Sequence, residues 1–242
     1  MRKQSRYEFD SRVRYSETDK DGKLTLEAIL NYFQDCTLFH SEDIGYGLEH
    51  LCQGKKVWVL LSWQIVVERY PNFGEKIKVA TKAYDFKRSF GYRNFMMYDA
   101  QGTCVAYANS VWLYMDSEKM KPVRIESNMA EIYQVEPKLD MDYADMKITI
   151  PEGEKEQCTP YIVQNYHIDT NGHVNNGQYL KMAYAALGEE VDVKQMRAEY
   201  KKSAVLGDVI QPIVYRNHGK YVVTLNGKEN ERYAVIELTL RT

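Results

Sequence analysis

The feature that most restricts how this chain can fold is an internal repeat. Slid on itself by 150 positions (173 − 23), the sequence places Val13, Asp19, Gly22 and Leu30 on Val163, Asp169, Gly172 and Leu180, identical in each case, and Leu24 on Val174. Self-similarity over this distance points to a duplicated unit whose copies pack together. The two copies differ where chemistry is concerned. The positions of Asn171 and His173 are held in the first copy by Asp21 and Lys23, and lysine cannot serve as the near-neutral base that histidine can. The asymmetry suggests one copy kept for chemistry and the other freed for binding, against the plainer reading that two structural copies have drifted apart.

The secondary-structure signals repeat in the same order. Residues 12–15 read as a short strand and 19–22 as a turn, after which Leu26, Ile29, Leu30, Phe33 and Thr37 recur with the period of a helix that buries one face. Thr25 is placed to cap that helix. Apolar residues at every odd position from Val57 to Val67 predict a long half-buried strand, ended by Pro71, Asn72 and Gly74. Residues 76–84 make another strand, and 93–98 with 105–114 form a hairpin across 99–102. Charged residues and Pro122, Pro137 and Pro151 then mark a connector. Beyond it come a short strand at 161–166, a helix and strands at 196–201, 210–215, 220–225 and 234–240. Domains are expected at 1–125 and 157–242, with a linker at 126–156.

The stretch 169–179, Asp-Thr-Asn-Gly-His-Val-Asn-Asn-Gly-Gln-Tyr, is the candidate reaction centre. On an extended backbone Asp169, Asn171 and His173 would project to one side. Leu180, Ala183, Tyr184 and Leu187 carry helical spacing, and Gly188 is a natural stop. The first N–H groups of such a helix have no internal partner and carry partial positive charge, so Val174, Asn175 and Asn176 are expected to offer donors to an oxyanion. The alternative is that these asparagines and glycines are turn and cap residues beside a merely exposed histidine.

A net charge of −2 gives no drive toward nucleic acid or an anionic membrane. The basic start, 1–7, leads into no apolar run, so neither a secretion signal nor membrane insertion is expected and a cytoplasmic location is. Cys36, Cys52, Cys104 and Cys158 are too far apart for a C-x-x-C site or a disulfide framework. His167 with His173 matches no familiar ligand spacing, so no metal is expected. His40, His50 and His218 stand alone and suggest no function.

The run Asp169-x-Asn171-x-His173-Val174-Asn175-Asn176 with Tyr179, together with Trp58, the segment Glu68-Arg69-Tyr70-Pro71-Asn72-Phe73-Gly74-Glu75 and Ser110-x-Trp112, resembles the acyl-acyl carrier protein thioesterases, in their plant and bacterial forms. The resemblance covers nearly the whole chain. It implies an α+β fold, a tandem (double) hotdog with two copies of a long helix wrapped by an antiparallel β-sheet. It also implies hydrolysis of fatty acyl-acyl carrier protein to free fatty acid, ending chain elongation, without a cofactor. Asp169, Asn171 and His173 match the family's catalytic aspartate, asparagine and histidine. Where plant members continue with a glutamate and a cysteine, this chain has Ser203 and Ala204. Alanine offers no nucleophile, so the glutamate's role passes to Ser203, to Glu199 or to neither.

The first half would line the acyl pocket, with Leu26, Ile29, Leu30, Phe33, Trp58, Trp63 and Trp112 as candidates that are otherwise ordinary core. The partner implied is an acyl carrier protein, and Lys194, Arg197, Lys201 and Lys202 are basic residues that could meet it. Hydrolysis of acyl-CoA on the same fold and a non-catalytic acyl-binding hotdog are the alternatives. Whether the tandem unit pairs further into a homodimer is open.

Overall fold

The structure, a computed structural model, describes residues 6–217, 219–228 and 231–241. His218 and the first five residues of the basic start lie outside them. The chain forms two compact units, 1–61 with 65–144 and 62–64 with 145–242.

The first unit holds β1 (Tyr7–Arg12), β2 (Lys56–Val67) apart from its residues 62–64, β3 (Lys76–Lys87), β4 (Phe90–Asp99), β5 (Cys104–Asp116) and a two-residue β6 (Lys121–Pro122), with helices α1 (Leu26–Asp43), α2 (Leu48–Gln53) and α3 (Met129–Ile132). Its sheet runs β1-β3-β4-β5-β2, and the pairings of β1 with β3, β3 with β4 and β4 with β5 are antiparallel. The second unit holds β7 (Lys155–Gln157), β8 (Tyr161–Ile162), α4 (Asn176–Leu187), β9 (Val193–Tyr200), β10 (Val209–Asn217), β11 (Lys220–Asn226) and β12 (Arg232–Leu240). Its order, β9-β12-β11-β10 with β7 and β8 both on β10, reproduces that of the first unit strand for strand. The duplication is thus one of topology as well as sequence.

The long helices form where the apolar period predicted. In α1 the Thr25 side chain accepts the Ala28 N–H at 3.2 Å, and Leu26, Ile29, Leu30 and Phe33 are buried. Phe33 meets Phe95 of β4 with ring centroids 5.3 Å apart. α4 is capped by the Asn175 side chain, which accepts the Gly177 N–H at 2.9 Å, and it stops at Gly188, whose φ of 70° suits glycine. α1 packs on β1 and β3, and α4 on β10, β11 and β12.

Three local expectations are corrected. The strand expected at 12–15 lies earlier, at β1, because the Glu17 carboxylate accepts the Arg14 N–H and turns 15–17 into a 3-10 helix. The strand at 161–166 shrinks to β8 for the matching reason: His167 Nδ1 accepts the Gln164 N–H at 3.0 Å and closes a 3-10 turn over Asn165–His167. β2 is buried on both faces over its last half, because its even positions include Leu60 and Val66 beside the polar Ser62 and Gln64. Buried polar residues had made that face read as solvated.

The segment 126–156 is anchored at separate points, with Met129, Tyr133 and Ile148 buried and most of the rest exposed or partly so. Met129 and Tyr133 join Ala83 and Tyr114 in a buried cluster of the first unit, and Asn94 accepts the Leu139 N–H and the Tyr143 hydroxyl. Further on, Ile148 is buried with Val222 and Val235 of the second unit.

Beyond Phe33 the buried stripe of α1 turns polar, with Cys36, Thr37, His40 and Ser41. Nδ1 of His40 lies 2.5 Å from Nη2 of Arg93, while its ring stacks on Tyr7 and meets Tyr133 edge-on. Burial, reinforced by the Arg93 cation, pushes the His40 imidazole down to about 3. The unfolded chain therefore binds a proton here between about pH 3 and 6.5 that the folded chain refuses, so this contribution to stability is complete above about pH 6.5 and is lost as the pH falls. The melting temperature is expected to drop through that window, and His40→Phe to flatten the drop, as read by calorimetry across a pH series.

Candidate active site

Residues 169–173 form a clamped turn in place of the extended run expected from their spacing. The Asp169 N–H donates to the His173 carbonyl at 2.8 Å and the Gly172 N–H to the Asp169 carbonyl at 3.0 Å. Oδ1 of Asp169 accepts the N–H of Asn171 at 2.8 Å and that of His173 at 3.4 Å. Gly172 supplies the φ of 77° that the turn needs. Alternation along a strand fails here because a carboxylate two residues ahead of a backbone N–H captures it, as Asx turns do.

The same turn occurs twice more. Asp19 binds the N–H groups of Asp21 and Lys23, with Gly22 at φ 74°. Asp99 binds those of Gln101 and Thr103, with Gly102 at φ 81°. The Asp and Gly shared by the repeats are thus the architecture of a loop. What distinguishes the third instance is the residue it ends on: Lys23 and Thr103 stand where His173 stands.

Asp169 spends Oδ1 on the backbone of the loop, so it orients Asn171 and His173 through the main chain. Asn171 is exposed, and His173 and Asp169 are half-buried. Immediately after His173 the chain is tied down again. Val174 donates its N–H to the Ala204 carbonyl at 2.9 Å, and Asn175 donates to the His167 carbonyl at 2.8 Å. These two N–H groups, expected to face an oxyanion, are therefore already engaged. The Gly177 N–H is taken by the Asn175 side chain, while Asn176 opens α4.

The loop at 201–205 lies against this segment. Ala204 is fully buried, and its N–H donates to the hydroxyl of Tyr179, itself 2% exposed, at 2.8 Å. Burial pushes the Tyr179 phenol up to about 12, keeping it a neutral partner. Ser203, next to Ala204, is exposed. Glu199 is committed elsewhere: Oε2 accepts the Ile148 N–H at 3.1 Å and Oε1 the Lys201 ammonium at 2.7 Å. That arrangement makes Glu199 a tie between β9, the Ile148 backbone and Lys201. The first copy again supplies the counterpart, Leu24 donating to the Pro71 carbonyl at 2.7 Å. Pro71-to-Gly74 and Ala204-to-Gly207 are thus equivalent. This match was hidden because its offset, 133 (207 − 74), differs from 150. Tyr179→Phe is expected to strand the buried Ala204 N–H and cost about 1–3 kcal/mol in denaturant unfolding.

The basic residues near the loop are largely spoken for. Arg197 binds Glu237 and the carbonyls of Asp145 and Lys147, Lys201 binds Glu199 and Lys202 binds Glu231, whereas Lys194 is exposed. Among the acyl-pocket candidates, the four α1 residues share one buried face. Trp58 sits apart, against Tyr114 and Phe86. Trp63 is buried, and Trp112 donates its N–H to Ser110 at 2.7 Å. Among the described residues no group of three or more His, Cys, Asp or Glu is placed to hold a metal ion, and no helix is long and apolar enough to cross a membrane.

Two units in tandem, each a long helix held on an antiparallel sheet, one of them carrying a histidine on a clamped turn at its helix start, define a double-hotdog protein. Residues 4–133 match the acyl-ACP thioesterase N-terminal domain, and residues 150–237 the C-terminal domain. The chain belongs to the acyl-ACP thioesterase family. It is 24% identical over 226 residues to the chloroplastic acyl-[acyl-carrier-protein] hydrolase FATB3 of Cuphea viscosissima, covering 86% of this chain and 54% of that one. It is 23% identical over 217 residues to a chloroplastic palmitoyl-acyl carrier protein thioesterase of Arabidopsis thaliana, covering 83% and 53%. The chain thus spans about half the length of the curated relatives it matches. An acyl-ACP thioesterase from Bacteroides thetaiotaomicron has the same fold, with a TM-score of 0.88, 21% identity and 98% of each chain covered. The 12:0-ACP thioesterase of Umbellularia californica gives 0.87 at 16% identity, again with 98% of each chain covered.

Proposed function

We propose that this protein hydrolyses the thioester linking a fatty acyl chain to its carrier protein, releasing free fatty acid and the carrier thiol. The observation that carries the reading is the histidine on the third clamped turn. The chain has the same loop in both copies, and only the one in the unit matching the family's C-terminal domain ends on a group able to take a proton near neutral pH.

In this mechanism water attacks the thioester carbonyl while His173 takes its proton. The carbon–sulfur bond then breaks and the proton passes to the departing sulfur. With the N–H groups of Val174 and Asn175 engaged, the donor to the developing oxyanion is the amide of Asn171, an exposed residue two positions before His173. Asp169 is a positioning residue: Asp169→Asn retains an oxygen to clasp the loop and loses little rate, whereas Asp169→Ala frees the loop and lowers kcat by at least about tenfold, in the range of effects a misplaced base produces. An anhydride route through Asp169 predicts the opposite, that asparagine is as damaging as alanine. Ser203 is exposed beside the same segment, and its replacement by alanine is expected to change kcat little.

The reading is tested by following free thiol from acyl-carrier thioesters of several lengths and from the matching acyl-CoA thioesters. Faster turnover on the carrier supports it. Equal or better turnover on CoA would reassign the substrate, and no thiol release from either would refute hydrolysis.

A further inference from the structure

The loop that ends on His173 is braced from two sides, and the second brace differs between the copies. On one side Asp169 clasps the turn. On the other the hydroxyl of Tyr179 in α4 accepts the Ala204 N–H at 2.8 Å, and the Ala204 carbonyl accepts the N–H of Val174, the residue bonded to His173, at 2.9 Å. The first copy builds the same corner by other means. There the Pro71 carbonyl accepts the Leu24 N–H; the N–H groups of Gly74 and Gly207 donate to the carbonyls of Val13 and Val163, and those of Val13 and Val163 donate to the carbonyls of Glu75 and Asp208. The corners therefore correspond residue for residue, with Pro71 in the place of Ala204. Proline has no N–H to satisfy. The helix position that matches Tyr179, four residues after the cap in each copy (29 − 25 and 179 − 175), is held by the fully buried Ile29.

An apolar pair thus closes the corner in the copy without the histidine, and a phenol bonded to a peptide N–H closes it in the copy that has one. Stability alone does not call for the polar version, because replacing both partners of a buried hydrogen bond by apolar groups that fit can be nearly neutral. What the hydrogen bond adds is direction. Apolar contact is non-directional, whereas an N–H to oxygen bond sets both a distance and an angle. A second phenol acts at the same helix start: Tyr200, which stands where the first copy has Val67 at the same offset of 133 (200 − 67), donates to the Asn176 carbonyl at 3.2 Å.

We propose that Tyr179 is a positioning residue for thioester hydrolysis, fixing the place of the His173 base through Ala204 and Val174. The proposal rests on the reading of His173 as that base. Tyr179 is 2% exposed, so it acts through the main chain and not on the substrate. A displacement of about 1 Å at a reacting group can cost on the order of 10²-fold in rate, and phenylalanine at 179 removes the bond that prevents it.

The test compares the unaltered chain with Tyr179→Phe and with the double variant Tyr179→Ile, Ala204→Pro, which installs the closure of the first copy. Thiol release from one acyl-carrier thioester gives kcat and KM, and urea unfolding gives stability. Tyr179→Phe is expected to lower kcat on the order of 10- to 100-fold with KM changed by less than about threefold. The double variant should recover the urea midpoint that Tyr179→Phe loses, since no donor is left stranded, and yet keep the low kcat. Recovery of kcat together with stability would show that the pair only supports the fold and overturns the proposal. A kcat for Tyr179→Phe within about threefold of the unaltered chain, or a loss confined to KM, overturns it as well. If the double variant does not fold, the kcat and KM of Tyr179→Phe, taken where circular dichroism shows it folded, decide alone. Should the unaltered chain release no thiol from any carrier or CoA thioester, the hydrolase reading falls by itself and amide exchange decides the positional link. Lost protection of the Val174 N–H in Tyr179→Phe then upholds that link, and unchanged protection refutes it.

Discussion

His173→Ala is expected to lower kcat on an acyl-carrier thioester by about 10²- to 10⁴-fold, the usual contribution of a positioned general base, with the melting temperature unchanged within a degree or so. The two halves of that expectation come from different parts of the loop. The turn is held by main-chain groups and by Asp169, whose oxygen accepts backbone N–H groups that alanine at 173 still provides. The imidazole itself is half-buried and supplies none of those bonds. Rate and fold are therefore separable at this position. A kcat within about tenfold of the unaltered protein would remove His173 as the base. A large fall in melting temperature would show that the ring also supports the fold.

Phe33→Ala should be among the most damaging changes in the first unit, costing about 3–5 kcal/mol of folding free energy. Phe33 is fully buried, and its ring packs on Phe95 between α1 and β4. Truncation leaves a void that a close-packed interior refills only in part. Against a total stability of ~5–15 kcal/mol this is a large share, and for a chain of this size it corresponds to a fall on the order of 10 °C in melting temperature. The urea midpoint measures it, and a shift worth less than about 1 kcal/mol would mean that the core closes over the gap, placing Phe33 at a compliant site.

Much of the fold could be read before the structure, for physical reasons that hold residue by residue. Leu26, Ile29, Leu30 and Phe33 had to share a face, and Thr25 and Gly188 had to sit at helix ends, because helical period and cap chemistry are local. The hairpin across 99–102 was legible for the same reason. What escaped was non-local or was decided by side chains turned back on their own backbone. The 3-10 turns closed by Glu17 and His167 interrupt what alternation read as strands. The clamp by Asp169 overrides the extended geometry that its spacing suggested. The engagement of Val174 by Ala204 depends on a loop 30 positions away (204 − 174) that no short-range pattern reveals. The residues of the candidate site were thus legible by type and by their asymmetry between copies, while the destination of each N–H was not. His40 was passed over for a related reason: its meaning lies in Arg93, 53 positions further on, and sequence gives no sign that the two meet.

The five-residue clasp that recurs at 19, 99 and 169 separates holding from reacting. Aspartate and glycine fix its shape, and the last residue is left as a free socket whose occupant does not pay back into the fold. Evolution, or an engineer, can therefore exchange the occupant of that socket, lysine for histidine or the reverse, without renegotiating the scaffold around it. A duplicated chain with such a part can lose reactivity in one copy and keep it in the other at almost no structural cost.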